Sequence, residues 1–540
     1  MRLGPSGYSA WMRRADEVSP EKLRGGFYTP APLVMFTLER LREARGASLT
    51  GATVLEPSAG DGAFVRALAA AADAPRRLIA VEREPSEAAK LPFAAAAAPA
   101  EVHNESFFAW AARAPAPVDA VVGNPPFVRY QFVPAEDRAQ ADALLHAQGR
   151  AVGGVANLWV PFVLVALHQL RPGGAFALVL PAELLSTAST GPLRAALSAQ
   201  SEALRLDLFP RGSFPKVLQE VVVLSGRWVA AGEGRARVGL SGALGPEEPL
   251  PPGEGPWTGL VLDAESRAAL AEARLLPEAR PFGALARLSV STVTGANAFF
   301  TVTDTTLAAF DLTPWARPLL ARAGHTGGLI VTEADHAAAR AEGERAWLLD
   351  LSADRPPPHA RALAYLQTAE AEGIPERYKC RVRRPWYRVP VVAPGALLLA
   401  KRAHLHHRLQ HNAAGLLTTD TIYQGAPLPS AGLSAADLVV SFHTSLTLLS
   451  VELEGRSYGG GVSELVPSEI ARLSLLSLPL GEHLPQLDAL SRAHGGQADA
   501  AEALIEATDA LFAARCPAYA ALLPGLRRAL GVLRGRRLGR

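Results

Sequence analysis

Apolar and polar positions alternate in two rhythms along the first half of the chain. Residues 33–46 (LVMFTLERLREARG) place apolar side chains at helical spacing and stop at a glycine, which predicts a helix. Short apolar runs follow at ATVLEP (52–57), RLIAVE (77–82), DAVVGN (119–124) and GAFALVLP (174–181). Between them lie helical stretches at 62–72, after 82, and at 157–171. Strands alternating with helices of this length predict βαβ units and a parallel sheet. LRLDLFP (204–210) and QEVVVLSGRW (219–228) predict a terminal hairpin on that sheet. The expected fold class is therefore α/β, a Rossmann-like sheet, mostly parallel, followed by a mixed α+β half.

Around 230–258 the rhythm stops, and EGRARVGLSGALGPEEPLPPGEGPW reads as a linker. The expected division is a first domain over 1–235, a linker over 236–258, a mixed domain over 259–480 and a helical extension over 481–540 ending in LRRALGVLRGRRLGR. A chain of 540 residues is too long for one ordinary core. Charge changes this picture little: 54 basic against 52 acidic residues leave any basic surface local. Two distant cysteines, Cys380 and Cys516, exclude a disulfide framework and a CxxC zinc site. The first residues lack the apolar core of a signal peptide, and runs such as VVAPGALLLA (391–400) are too short to span a bilayer. A cytoplasmic, membrane-free protein is expected.

The first chemistry sits at VLEPSAGDGAF (54–64), where Glu56 ends a strand and Ser58, Ala59, Gly60 and Gly62 lead into a helix. Such a turn lets a ligand approach the backbone, and by itself it is common in α/β proteins. Glu82 ends the next strand, where a carboxylate accepts both hydroxyls of a ribose. NAD and S-adenosylmethionine both carry that ribose. No third glycine completes G-x-G-x-x-G, because Phe64 and Val65 follow Ala63. Glu56 would repel a pyrophosphate but suits a sulfonium and an amino acid moiety, which favours S-adenosylmethionine.

The second site is VVGNPPFVRY (121–130). Two prolines remove backbone donors and stiffen a row of acceptors at a strand end. Neither cysteine lies at a strand end of the sheet, so attack by a thiolate on a ring carbon is not supported. Acceptors on the Asn124 side chain and the Pro125 carbonyl instead suit an exocyclic or amide NH₂, with Phe127 stacking on a flat substrate. Hydrogen bonds of this kind favour a tetrahedral nitrogen whose lone pair is free to attack.

These stretches, in this order, resemble the gamma-class N6-adenine DNA methyltransferases of bacterial restriction–modification systems, over roughly residues 20–475. KLRGGFYTP (22–30) is similar to the family's N-terminal motif, which implies Tyr28 and Thr29 at the methionine part of the cofactor. AVERE (80–84) implies Glu82 and Arg83, and NPPF implies Asn124, Pro125 and Phe127, with Asn124 also at the cofactor. NLWVPFV…LRPGGAFALVLPAELL (157–185) resembles the helix and strand that follow. SFPKVLQEVVVLSG (213–226) implies that Phe214 contacts the extruded base. Where the family carries an aspartate before an aromatic pair, HNESFFAW (103–110) offers Ser106, or Glu105 one place earlier, with Phe107 to stack on the cofactor adenine. Phe127 replaces the commoner tyrosine. The resemblance makes residues 1–235 the catalytic, cofactor-binding domain and 259–480 the domain that recognises DNA, through features such as VTGANAFF, KCRVRRPWY, NAAGLLTTDT and ELEGRSYGGGVSELVPSE.

The implied partner is double-stranded DNA, with room for a cognate restriction endonuclease, and a monomer is expected. Residues 376–411 concentrate positive charge with interleaved aromatics, a mixture suited to phosphate and stacking contacts. Arg381, Arg383, Arg384, Trp386, Lys401 and Arg402 are the expected DNA contacts, joined by Arg456 and Gly460. His404, His407 and His411 fall on one face at helical spacing, but no carboxylate or cysteine lies close in sequence, so a DNA-facing or plain surface role rather than a metal is expected. The loop 130–156 is expected to be mobile or an ordinary surface helix, and the Arg-rich tail to clamp phosphates or remain a disordered end. N4-cytosine methylation, methylation of a protein glutamine or an RNA base, and a silent DNA-binding relative remain the competing readings.

Overall fold

Every apolar run of the first half becomes a strand. The computed structural model describes residues 29–91, 100–128, 130–150, 157–209, 221–233, 237–241, 248–249, 253–458, 461–493 and 498–539. They divide into two compact units, Met1–Val261 and Leu262–Arg540.

The first unit is built on a nine-stranded sheet. Its strands are β1 (Thr53–Glu56), β2 (Arg77–Val81), β3 (Ala100–His103), β4 (Val118–Gly123), β5 (Leu170–Pro181), β6 (Ser201–Leu208), β7 (Val221–Trp228), β8 (Arg237–Ser241) and β9 (Glu248–Pro249). The spatial order is β3-β2-β1-β4-β5-β7-β6-β8-β9. β1 to β5 are parallel, and β7 enters antiparallel to both β5 and β6, which is the expected hairpin. Helices α1 (Ala31–Arg45), α2 (Ala63–Ala69), α3 (Phe107–Ala112), α4 (Ala135–Ala147), α5 (Trp159–His168) and α6 (Gly191–Gln200) connect and cover it.

Alternation explains why the strands are apolar throughout. Leu55, Ile79 and Val121 point into one buried cluster with α3 and α5, while Val54, Leu78, Ala80, Ala120 and Val122 point into another with α1 and α2. A sheet covered on both faces has no polar side to show.

The presumed linker is part of this unit. β8 pairs in parallel with β6, and β9 with β8. Trp257 is fully buried, and Arg194, 1 % exposed, donates to the carbonyls of Glu254 and Gly255 at 2.7 Å while holding those of Leu184 and Thr187 at 2.9 and 3.0 Å. Gly and Pro set the local backbone there, but the burial of Trp257 decides the boundary, which falls at Val261 rather than before residue 259.

The second unit holds a five-stranded sheet, ordered Ala286–Val290, Ile422–Pro427, Leu397–Ala400, Leu409–Asn412 and Ile330–Val331, with smaller sheets around it. Its closing helices are α7 (Ala264–Arg274), α8 (Tyr378–Arg381), α9 (Ser445–Glu454), α10 (Ala498–Arg515) and α11 (Pro517–Leu538). α11 carries the Arg-rich stretch as far as Leu538, so that part is helical, and four of its arginines have partners within the unit. Arg527 pairs with buried Asp509, Arg528 with Glu265 and Arg534 with Glu502. Arg537, 3 % exposed, holds Glu452 at 2.7 and 2.8 Å and the Leu405 carbonyl at 2.8 Å, together with the carbonyls of His404 and Gly461. These arginines are consumed inside the unit.

Removing one member of a buried ion pair costs about 3–5 kcal/mol because the other charge is stranded. Arg537→Ala should accordingly lower the unfolding free energy of the second unit by about 3 kcal/mol, read by denaturant titration.

Candidate active site

Parallel pairing of β1 with β4, Leu55 opposite Val121, brings the two sequence motifs together. Glu56 and Gly123 end these strands side by side. Gly123 has φ +155°, and a Cβ on it would sit 3.6 Å from the Glu56 side chain and 3.7 Å from Pro57. This is the carboxyl edge of the sheet, where a ligand cleft is expected.

The turn after β1 is built by backbone bonds. Gly60 (φ +51°) and Gly62 (φ +83°) adopt left-handed conformations that a side chain would strain. Ala59 donates to the Val81 carbonyl at 3.0 Å, and Gly60 to Glu82 Oε2 at 2.7 Å. Glu82 Oε1 accepts from the amide of Glu84 at 2.8 Å. The carboxylate at the end of β2 is thus aimed across the turn. Asn104, which the sequence reading quoted without singling out, donates to the carbonyls of Glu82 and Arg83 at 2.9 and 3.1 Å and fixes this corner. Its only signal was its place in HNESFFAW.

Glu56 is 1 % exposed, and its Oε2 has no hydrogen-bond partner among the described residues. Burial, reinforced by Glu82 and then Asp61, pushes its carboxyl well above the ordinary range. A buried acid beside a second acid is a place prepared for a cation or a hydrogen-bond donor.

The Asn-Pro-Pro-Phe tetrapeptide is held at several points. Asn124 Nδ2 donates to the Thr29 hydroxyl at 3.1 Å, and the Ser58 hydroxyl donates to the Asn124 carbonyl at 3.1 Å. Of the two stiffened carbonyls, that of Asn124 is therefore spent on the cofactor turn. No described donor is bonded to the Pro125 carbonyl. Phe127 packs its ring on the core cluster while remaining partly exposed, and Val128 accepts from Leu158 at 2.8 Å at the start of α5.

Other expected residues fall differently. Tyr28, Phe214 and Gly460 lie outside the described residues. Phe107 is 4 % exposed, its ring 4.7 Å from Phe162, so most of it forms core rather than a free stacking face. Of the two polar candidates before it, Glu105 is taken by Arg113, whereas Ser106 precedes α3 without using its side chain as a cap. Arg83 pairs with Asp137 of α4 at 2.7 Å. Of the two expectations for 130–156 the helix is found: a short turn over Tyr130–Phe132 leads into α4, and the Tyr130 hydroxyl donates to Asp142 at 3.0 Å, while residues 151–156 lie outside the described residues.

In the second unit the basic stretch divides. Lys401 and Arg402 both reach Glu464, and Arg456 reaches Glu469 at 2.8 Å. Arg383 donates to the carbonyls of Val293 and Thr294 at 2.7 Å, and Trp386 packs against Phe299 and Phe300. Each of these side chains thus has a partner within the unit, although Arg402 stays exposed. Arg381 and Arg384 remain exposed. The supposed histidine helix is absent, since Arg402–Ala403 and Leu409–Asn412 are strands. Buried His407 bonds the Ala400 carbonyl and Ser463, and burial pushes its pKa down to about 4. Among the described residues no group of three or more His, Cys, Asp or Glu side chains is placed to hold a metal, and no single helix is long and apolar enough to cross a membrane.

Family models bracket this geometry. Residues 90–211 match the Eco57I restriction-modification methylase, and residues 254–511 match the C-terminal domain of the type II methyltransferase M.Eco57I. The chain belongs to the gamma-class DNA methyltransferases of restriction–modification systems. The methyltransferase is 25 % identical to the type II methyltransferase M.XamI of Xanthomonas campestris pv. amaranthicola over 492 residues, covering 84 % of this chain and 85 % of that protein. Among solved structures it is similar to the type IIL restriction-modification enzyme MmeI in complex with DNA (12 % identity, TM-score 0.49, 94 % of this chain and 72 % of that one). It is also similar to the type IIG restriction endonuclease BpuSI (14 % identity, TM-score 0.40, 95 % of this chain), of whose length it spans 66 %.

The residues present fit S-adenosylmethionine, the methyl donor of such enzymes. Its ammonium and hydroxyl groups match a buried unpaired carboxyl oxygen and a carboxylate placed for a ribose. Cation binding favours ionised Glu56, so affinity should rise with pH through its raised pKa and fall as the acid protonates. Glu56→Gln should weaken cofactor binding about 10- to 100-fold and flatten that pH dependence. Calorimetric titration across pH reads both. The same variant should not lose thermal stability at neutral pH without cofactor, because it removes a charge that folding disfavours.

Proposed function

We propose that the chain transfers a methyl group from S-adenosylmethionine to the exocyclic N6 amine of a flipped-out adenine in double-stranded DNA. It acts as a monomeric, cytoplasmic modification or solitary methylase, with a cognate restriction endonuclease as partner where one accompanies it. The observation that carries this reading is the pinning of Asn124 by Thr29 and Ser58 directly beside the Glu56–Glu82 turn.

When bound, the cofactor supplies an electrophilic methyl group on a sulfonium. Glu56, with Thr29 and Tyr28, would hold its amino acid end, the backbone of Ser58, Ala59, Gly60 and Gly62 would line its middle, and Glu82 would take the ribose hydroxyls. Arg83, Ser106 and the exposed edge of Phe107 would border the adenine. The target base would lie on Phe127, with Phe214 on its other side. Its amino group would donate to the Asn124 side-chain oxygen and the Pro125 carbonyl. Rigid acceptors orient the nitrogen lone pair and stabilise the positive charge it gains, which is where placement and preorganised dipoles count. Flipping the base costs a few kcal/mol, repaid by stacking and these hydrogen bonds.

Amine chemistry of the same kind serves N4-cytosine, so the product decides. With labelled cofactor and unmodified genomic DNA, digestion should release label in N6-methyladenine. Label in N4-methylcytosine would change the base, and label only in protein or RNA would sink the proposal.

Asn124→Ala should abolish transfer with cofactor affinity largely intact. Thr29→Val should lower kcat about 10- to 100-fold by freeing the Asn124 amide, whereas Thr29→Ser should keep most of it. An unchanged kcat for Thr29→Val, measured at saturating cofactor, would refute the positioning role.

A further inference from the structure

The basic stretch of the second unit contains two populations of cations, and only one of them is available. Between Arg377 and Arg388 the chain carries six basic residues and no acid. Lys379, Arg381, Arg384 and Arg388 are exposed, and none of them forms an ion pair among the described residues. Lys401, Arg402 and Arg456, by contrast, are each neutralised by Glu464 or Glu469.

The inner side of this segment is tied down with unusual closeness. Cys380 is fully buried against the Thr294 carbonyl, and Arg383 spans the carbonyls of Val293 and Thr294. Gly295 has φ +83°, and a Cβ there would lie 2.7 Å from that of Lys379. Trp386 completes the anchorage against Phe299 and Phe300. One helical turn is thereby held so that its outer side is fixed. That side shows Tyr378, 66 % exposed, and Val382, 62 % exposed, four residues apart. They are flanked by the exposed cations that carry no ion pair, of which Arg384 is steadied by the carbonyls of Arg381 and Arg383 at 2.7 and 2.9 Å. Lys379 Nζ lies 5.5 Å from the Tyr378 ring.

From this we infer that α8 and the turn through Arg388 form a rigid docking surface for the sugar–phosphate backbone of duplex DNA. Lys379, Arg381, Arg384 and Arg388 would meet phosphates while Tyr378 and Val382 press on the apolar sugar edges between them. Charge complementarity selects this occupant: unpaired cations gain from releasing the counterions of a polyanion, and cations already sharing a glutamate do not. The inference rests on the DNA-methyltransferase reading. It removes Arg383, Trp386, Lys401, Arg402 and Arg456 from the contact set and adds Tyr378, Lys379, Val382 and Arg388.

The test is salt-dependent binding of the full chain to an unmodified, mixed-sequence DNA duplex. Lys379→Gln/Arg381→Gln/Arg384→Gln should lower the magnitude of the slope of log affinity against log salt by about 2–3. Arg402→Gln/Arg456→Gln should leave the slope as it is. Tyr378→Ala should weaken binding several-fold at every salt concentration with the slope unchanged, since no counterion is involved. Cofactor affinity, measured in parallel, should be unaltered in the triple variant, whose replaced side chains are all exposed. An unaltered slope in the triple variant, or an equal drop in the double variant, would overturn the inference. Failure of the unsubstituted protein to methylate DNA at all would instead remove the reading beneath it.

Discussion

Parallel hydrogen bonding between β1 and β4 is the constraint from which the site follows. It sets the acid that ends one strand next to the Asn-Pro-Pro that follows the other. Both strand ends open on the same edge of the sheet, so the acid and the acceptor row face one cleft. The Ser58–Asn124 bond then makes the cofactor turn and the acceptor row one rigid piece. Geometry of this kind lowers a barrier by removing the search for orientation rather than by adding a reactive group.

That part of the molecule was legible from its sequence because each signal was local. Strand ends, glycines needing positive φ, and prolines without donors announce themselves within a few residues. The sheet was legible for a related reason, since covering both faces forces continuous apolar runs. What escaped was decided by distant partners. Glycine and proline around 237–257 described the backbone of that segment correctly but said nothing of β6 waiting beside it, nor of the pocket that takes Trp257. Helical spacing of three histidines was satisfied by chance in a stretch that forms strands.

Arginine was the least readable residue. Arg537, Arg383 and Arg381 look alike in the chain, yet the first is sealed on Glu452, the second braces two carbonyls, and the third faces solvent. A guanidinium has five donors and a long apolar stem, so it serves equally as a buried tie and as a surface charge. Only the position of distant acceptors, carboxylates and carbonyls alike, separates the roles. Sorting cations by whether a carboxylate already holds them is therefore a better guide to a polyanion-binding face than their density along the sequence.

The pairing of Glu265 with Arg528, and of residues near 404 with Arg537, has a consequence for the order of events during synthesis. The nine strands of the first unit all lie within residues 1–261, so its sheet has every strand once they have emerged. The second unit is stitched from its first helix to its last, so its early segments wait unpaired until α11 is made. Long-range closure of this type is slow and leaves apolar surface uncovered in the meantime. A ribosome-bound chain would thus complete the nine-stranded sheet well before its second unit could close.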